Sequence, residues 1–231
     1  MLIAVSTEDI NTILGEDFSN NFIREYKSYT DVFTKKNREP QLAKETWEYI
    51  IADSVPSATW TGAGNALADV ETDTSFLDVK GLSTLNFSRI SNEASLLQIT
   101  SSVADDVISD LTEAKSVSSQ LQKKINDTFI EKMNMKLYMN DALQAHNKKY
   151  YSLVIVREQQ VVNSFAVALF LHTHHTNVVT SYSTTRNPDV ALIESSHGKV
   201  SLNISKRRLE LRVNLNNLLR DNKAMRLNFD E

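Results

Sequence analysis

The chain predicts an α/β (α+β) fold with a central mixed β-sheet flanked by helices. Three observations predict it. Apolar residues recur at helical spacing from the N-terminus to Ala52. After Pro56 the pattern changes to short extended pieces broken by glycines and polar turns. From Tyr150 onward strand-like runs return, among them YYSLVIVRE and SFAVALFLHTH.

Residues 3–34 read as one or two amphipathic helices, with Thr7, Glu8 and Asp9 starting the first before Ile10, Ile13 and Leu14. The charged run Lys35 to Pro40 marks a loop, because proline disfavours helix in the residue before it. A helix follows from about Gln41 to Ala52. On it Ala43, Trp47, Ile50 and Ile51 share one face, Glu48 lies at the edge of that stripe and Glu45 points away. SATWTG, NALADVE and TSFLDVKGLS then form a β-meander whose second turn is Thr72-Asp73-Thr74, and TLNFSRI extends it. Residues 94–147 hold no proline or glycine and are rich in good helix formers, which predicts one or two long helices opening at Ala94. Beyond Tyr150, strands are expected in NVVTSYST and in ALIESSHGKVSLNI, with His197-Gly198 at a hairpin turn. RRLELRVNLNNLLRDNKAMRL begins as a strand and is expected to end as a short helix.

Composition narrows the function classes. Hydrophobic residues at 41% and charged residues at 23% are the balance of a packed globular chain, and 231 residues fit one domain over 1–231. With no cysteine, thiolate metal sites, disulfides and cysteine nucleophiles are excluded. No run approaches the roughly 20 apolar residues that cross a bilayer, and the N-terminus lacks the basic flank of a signal peptide, so no membrane partner and a cytoplasmic location are expected. Charge is uneven: residues 1–120 carry 9 Lys and Arg against 19 Asp and Glu (9 − 19 = −10), and residues 121–231 carry 16 against 10 (16 − 10 = +6). An acidic half and a basic half suit a protein that holds a cation in one place and phosphates in another.

The residues that carry chemistry are Asp69, Asp78 and Lys80. Asp78 and Lys80 are two apart, so on a strand both emerge on one face while Leu77 and Val79 enter the core from the other. With Thr72 to Ser75 as the turn, Asp69 falls on the neighbouring antiparallel strand within one or two pairs of Asp78. Two converging carboxylates are the protein ligands that Mg²⁺ commonly takes, with waters and phosphate oxygens filling its shell. Lys80 beside them is placed to orient the attacking water and to neutralise charge developing on phosphorus.

Asp69 followed by Asp78-Val79-Lys80, behind a helix and on a meander, resembles the PD-(D/E)xK nucleases, the superfamily that contains most type II restriction endonucleases. Ala68 stands where proline precedes the first acid in many members. The resemblance implies a restriction-endonuclease-like core over about 41–158, in the order helix, three strands, helix and strand. It leaves C-terminal strands and a basic DNA-contacting region over about 159–231. It also implies Mg²⁺ on Asp69 and Asp78, water activation by Lys80, an additional acid at Glu48 and a supporting glutamine at Gln98. The implied function is sequence-specific hydrolysis of double-stranded DNA by a homodimer, whose two-fold axis matches a palindromic target. A structure-selective repair, recombination or phage nuclease with the same core is the nearest alternative. A non-catalytic DNA-binding or assembly protein is the alternative of another class.

Arg186 in a polar loop and Lys206, Arg208 and Arg212 on a half-buried strand are the expected DNA contacts. Asn187-Pro188-Asp189 holds a literal Pro-Asp, but no acid stands two residues before Lys206 to complete a second motif. His172, His174 and His175 lack a nearby acid or cysteine to complete a zinc set and read as polar residues at a strand end. Phosphate-loop, dinucleotide and nucleophile-elbow patterns are absent.

Overall fold

A computed structural model describes residues 2–36, 42–62, 68–84, 93–99, 147–159, 164–172, 181–184, 190–194, 199–203, 208–214 and 221–228. The chain divides into two compact units. One comprises residues 4–92, 141–172 and 215–231; the other comprises 93–140 and 173–214 with the first three residues. A single domain over 1–231 was the expectation from length.

The first unit is a mixed α/β assembly. Strand β1 (Leu2–Ala4), of which Ala4 belongs to this unit, leads into helices α1 (Thr7–Leu14) and α2 (Phe18–Lys35), and α3 (Lys44–Ser54) precedes the strands β2 (Thr59–Trp60), β3 (Val70–Glu71) and β4 (Ser75–Thr84). Strands β6 (Lys149–Glu158), β7 (Ser164–His172) and β12 (Met225–Asn228) complete a seven-stranded sheet. Its order is β1-β7-β6-β4-β3-β2, with β12 also paired to β7. The β2, β3 and β4 strands form the expected antiparallel meander, while β6 runs parallel to β4 over the full length of both. A parallel neighbour requires a crossover, and here the connection carries the 93–140 portion of the second unit.

Alternation along the strands divides the sheet into two faces. Leu77, Val79, Leu153, Ile155, Val167 and Leu169 lie on the face covered by all three helices, where they form one core with Ile10, Phe22, Trp47 and Ile50. Val154, Val156, Ala166 and Phe170, on the opposite face, are buried too. Burial on both faces is why β6 and β7 read as continuous apolar runs.

Local chemistry sets the helix ends. Ser6 caps α1, accepting from the Asp9 amide at 3.2 Å and donating to the Asp9 carboxylate at 2.6 Å. Gly15 ends it at φ +98°, and a Cβ there would also press on the ring of Pro56 at 3.0 Å. Ala43, expected on the buried face of α3, instead precedes the helix and is exposed, whereas Trp47, Ile50 and Ile51 are buried.

In the second unit, β5 (Glu93–Ile99), β8 (Ser181–Thr184), β9 (Val190–Glu194), β10 (Lys199–Asn203) and β11 (Arg208–Asn214) form a five-stranded sheet in the order β5-β11-β10-β9-β8. The helix expected to open at Ala94 is corrected here: residues 93–99 are a strand paired to β11, and residues 100–146 lie outside the described residues. Leu209 opposite Ile99 and Leu211 opposite Leu97 tie the segment into the sheet, and this pairing overrides its helical propensity. At the end of the stretch expected to finish as a short helix, Met225–Asn228 is instead a strand paired with β7, and residues 215–220 of that stretch lie outside the described residues. The β9 and β10 strands pair antiparallel as a hairpin requires, although His197-Gly198 lies outside the described residues, as do 85–90 of TLNFSRI. No helix among the described residues is long and apolar enough to cross a membrane.

Candidate metal and catalytic site

The meander brings the acids together through its turn. Thr72 closes that turn: its amide donates to the Ser75 carbonyl at 2.8 Å, and its hydroxyl accepts from the Ser75 amide at 2.9 Å. Lys148 ties the same turn to the start of β6, reaching the Glu71 carboxylate at 2.7 Å and the Thr72 carbonyl at 2.6 Å. Val70 then pairs with Leu77, and the Asp69 amide donates to the Leu77 carbonyl at 3.0 Å, which sets Asp69 beside the start of the Asp78-Val79-Lys80 segment.

Asp78 is buried and Lys80 a quarter exposed, with the Lys80 Nζ 2.7 Å from the Asp78 Oδ1. Asp69 accepts the Val79 amide on Oδ2 at 2.8 Å, which fixes its carboxylate against the backbone of the motif. Burial pushes the Asp69 carboxyl up. The Val79 amide, a hydrogen bond with Asp78 and the cations of Lys44 and Lys80 outweigh it and hold Asp69 below the ordinary carboxylate value.

The third acid arrives from α3. Glu48, expected at the edge of the apolar stripe, is buried and bonded on both oxygens: to Lys44 at 3.0 Å and to the Trp60 indole N–H at 3.1 Å. Lys44 also reaches the Asp69 Oδ1 at 3.3 Å and so links Glu48 to the acid pair. Burial alone would push the Lys44 ammonium down; the hydrogen bond to Glu48 and the charges of Asp69 and Glu48 reverse this and raise it above the usual lysine value. The packing that places α3 is close: a Cβ on Gly81, next to Lys80, would fall well inside contact distance of the Trp47 indole. Glycine at 81 lets the helix carrying Glu48 and Lys44 lie directly on the strand carrying Asp78 and Lys80.

Glu48, Lys44 and Asp69 thus form one network that ends on the Val79 amide, between Asp78 and Lys80, which pair with each other. Gln98 is on β5 in the other compact unit, at the register position opposite Glu210. Arg208 and Arg212 lie on β11, while Arg186 and Lys206 are outside the described residues, as are Asn187-Pro188-Asp189. His172 is buried, 2.8 Å from the Ser152 hydroxyl, and His174 and His175 lie outside the described residues. Lys44 is the participant that reasoning from sequence passed over, although its place four residues before Glu48 is the spacing that pairs side chains along a helix.

No set of three or more His, Cys, Asp or Glu side chains arranged to hold a metal occurs among the described residues. Asp69 and Asp78 nevertheless fit a hard cation that takes one or two carboxylates and completes its shell with water and phosphate oxygens. Both are held rigidly, and the ammonium nearest Asp69 belongs to Lys44, whose side chain is 57% exposed and so free to withdraw. No protein-family model, no curated protein and no solved structure matches this chain.

Proposed function

We propose that this chain is a Mg²⁺-dependent, sequence-specific endonuclease of the type II restriction kind, hydrolysing phosphodiester bonds of double-stranded DNA as a homodimer. The observation that carries the reading is the Asp69 carboxylate seated on the Val79 amide at 2.8 Å, between Asp78 and Lys80, with the Lys80 ammonium 2.7 Å from Asp78. The order α3, meander, parallel β6 supports a restriction-endonuclease-like core.

Asp69 and Asp78 would hold a Mg²⁺ ion, which would supply Lewis acidity toward the phosphate and toward the attacking water. The residues do the rest. Asp69, held ionised by the Val79 amide, offers charge without waiting for a proton to leave. Lys80 is fixed by Asp78 where its ammonium can orient the attacking water and balance the negative charge that grows on phosphorus. Lys44 balances the charges of Asp69 and Glu48, and the bond from the Trp60 indole to Glu48 keeps α3 in position. Arg186, Lys206, Arg208 and Arg212 are the residues proposed to meet the DNA.

Incubation of plasmid DNA with the purified protein tests the reading, with and without Mg²⁺ and beside Asp78→Ala. Discrete fragments from the wild type alone, only with metal, are expected, with a loss in Asp78→Ala on the order of 10²–10³-fold or more. Cleavage confined to branched or single-stranded DNA would replace sequence specificity with structure selectivity. No cleavage of any of these substrates would leave a non-catalytic binding protein.

A further inference from the structure

The strand parallel to β4 carries a phenol that the proposed chemistry does not use. Tyr150 pairs with Phe76, two residues before Asp78, so its side chain emerges on the face that carries Asp78. The residue is 3% exposed, and its hydroxyl finds no hydrogen-bond partner among the described residues. Its ring stands edge-on to His172, with centroids 5.2 Å apart and planes at 74°, and His172 is itself fixed by Ser152 at 2.8 Å. The phenol is therefore held firmly with its polar end unsatisfied. Packing alone does not explain this, because phenylalanine would fill the same space without the cost of burying a bare hydroxyl.

The acids lie within electrostatic reach. Burial pushes the Tyr150 hydroxyl well above the usual tyrosine value, and the charges of Asp78 and then Asp69 push it further. It stays protonated at neutral pH and is a hydrogen-bond donor with no acceptor among the described residues.

We propose that Tyr150 is a ligand-positioning residue of the Asp69 and Asp78 site, donating its O–H to an oxygen in the coordination shell of the bound divalent cation. That oxygen belongs either to a bound water or to a phosphate of DNA. The inference rests on the reading of Asp69 and Asp78 as cation ligands. It explains why the buried stretch 150–156, otherwise of apolar and hydroxyl side chains, keeps a donor with no partner among the described residues on the face that carries Asp78.

The test compares full-length wild type, Tyr150→Phe and Asp78→Asn in three measurements: the thermal midpoint, Mn²⁺ affinity by calorimetry, and affinity for duplex DNA in Ca²⁺, which also takes oxygen ligands. Tyr150→Phe is expected to keep or raise the midpoint, since it removes only an unpartnered hydroxyl, while affinity falls about three- to tenfold in one binding arm. A fall in the Mn²⁺ arm identifies the oxygen as water. A fall confined to the DNA arm identifies it as phosphate. A clearly lowered midpoint would show that the hydroxyl serves the fold and would overturn the proposal. Unchanged affinities in both arms would also overturn it, and would leave the cation reading intact if Asp78→Asn abolishes Mn²⁺ binding. Absence of any Mn²⁺ binding that depends on Asp78 would overturn the cation reading and this proposal together.

Discussion

In the seven-stranded sheet the central strands are buried on both faces, and the charged pair in their midst, Asp78 and Lys80, is bonded within itself. In the five-stranded sheet, by contrast, apolar and polar residues alternate across the register. Leu202 pairs with Leu209 and Val200 with Leu211 on one face; Asn203 pairs with Arg208, and Lys199 with Arg212 and Glu194, on the other. The first sheet confines its charges at fixed distances where water is scarce. The second spreads them over one face, with acids and bases interspersed and two cations, Lys199 and Arg212, directly opposed. Chemistry needs the former arrangement, because preorganised charges act most strongly in a dry site. The proposed contact with DNA phosphates would draw on the latter, where opposed cations would favour an incoming phosphate over each other.

Breaking the packing of the first sheet should produce the largest effect on stability. Gly81→Ala forces a methyl against the Trp47 indole and is expected to cost about 1–3 kcal/mol in denaturant unfolding. Because the same contact seats α3, the variant should also lose more cleavage activity than its stability loss explains. An Ala variant as stable and active as the wild type would mean that α3 does not depend on this approach.

Acid should loosen the first sheet by a smaller amount. Asp69 has a folded value below its unfolded one, so its contribution is complete above about pH 4 and is lost as pH falls through the lower folded value. The denaturation midpoint of the wild type should therefore fall below about pH 4 more steeply than that of Asp69→Asn. Parallel profiles would remove Asp69 as a source of acid sensitivity.

The smallest stability effect is expected in the second sheet and sharpens the contrast most. Arg208→Ala and Arg212→Ala should each change stability by no more than about 0.5 kcal/mol. If they meet phosphates, each should reduce the slope of log affinity for DNA against log salt by about one. An unchanged slope would return the polar face to the role of a solvated surface.

How much of this was legible in the sequence follows from how local each feature is. The turn at Thr72-Asp73-Thr74, the common face of Asp78 and Lys80 and the nearness of Asp69 to their segment all follow from a period of two and a short turn. The buried stripe of α3 follows from helical spacing, although Ala43 falls outside the helix. Residues 93–99 resisted the same reasoning, because Ala, Leu and Gln favour helix locally while the pairing with β11 is decided far along the chain. Met225–Asn228 is a similar case, reached only after a left-handed turn at Asn222 and held by β7. Tyr150 owes its place beside the acids to the parallel register of β4 and β6, which no pattern within either strand specifies.

The central claim is that Asp69, Asp78 and Lys80 act as one site, and cleavage kinetics of Asp69→Asn, Asp78→Asn, Lys80→Ala and the triple variant in Mg²⁺ test it most directly. Groups that act as a unit are strongly non-additive, so each single variant should lose nearly as much rate as the triple. Losses that multiply across the three, or a single variant that cleaves like the wild type, would contradict it.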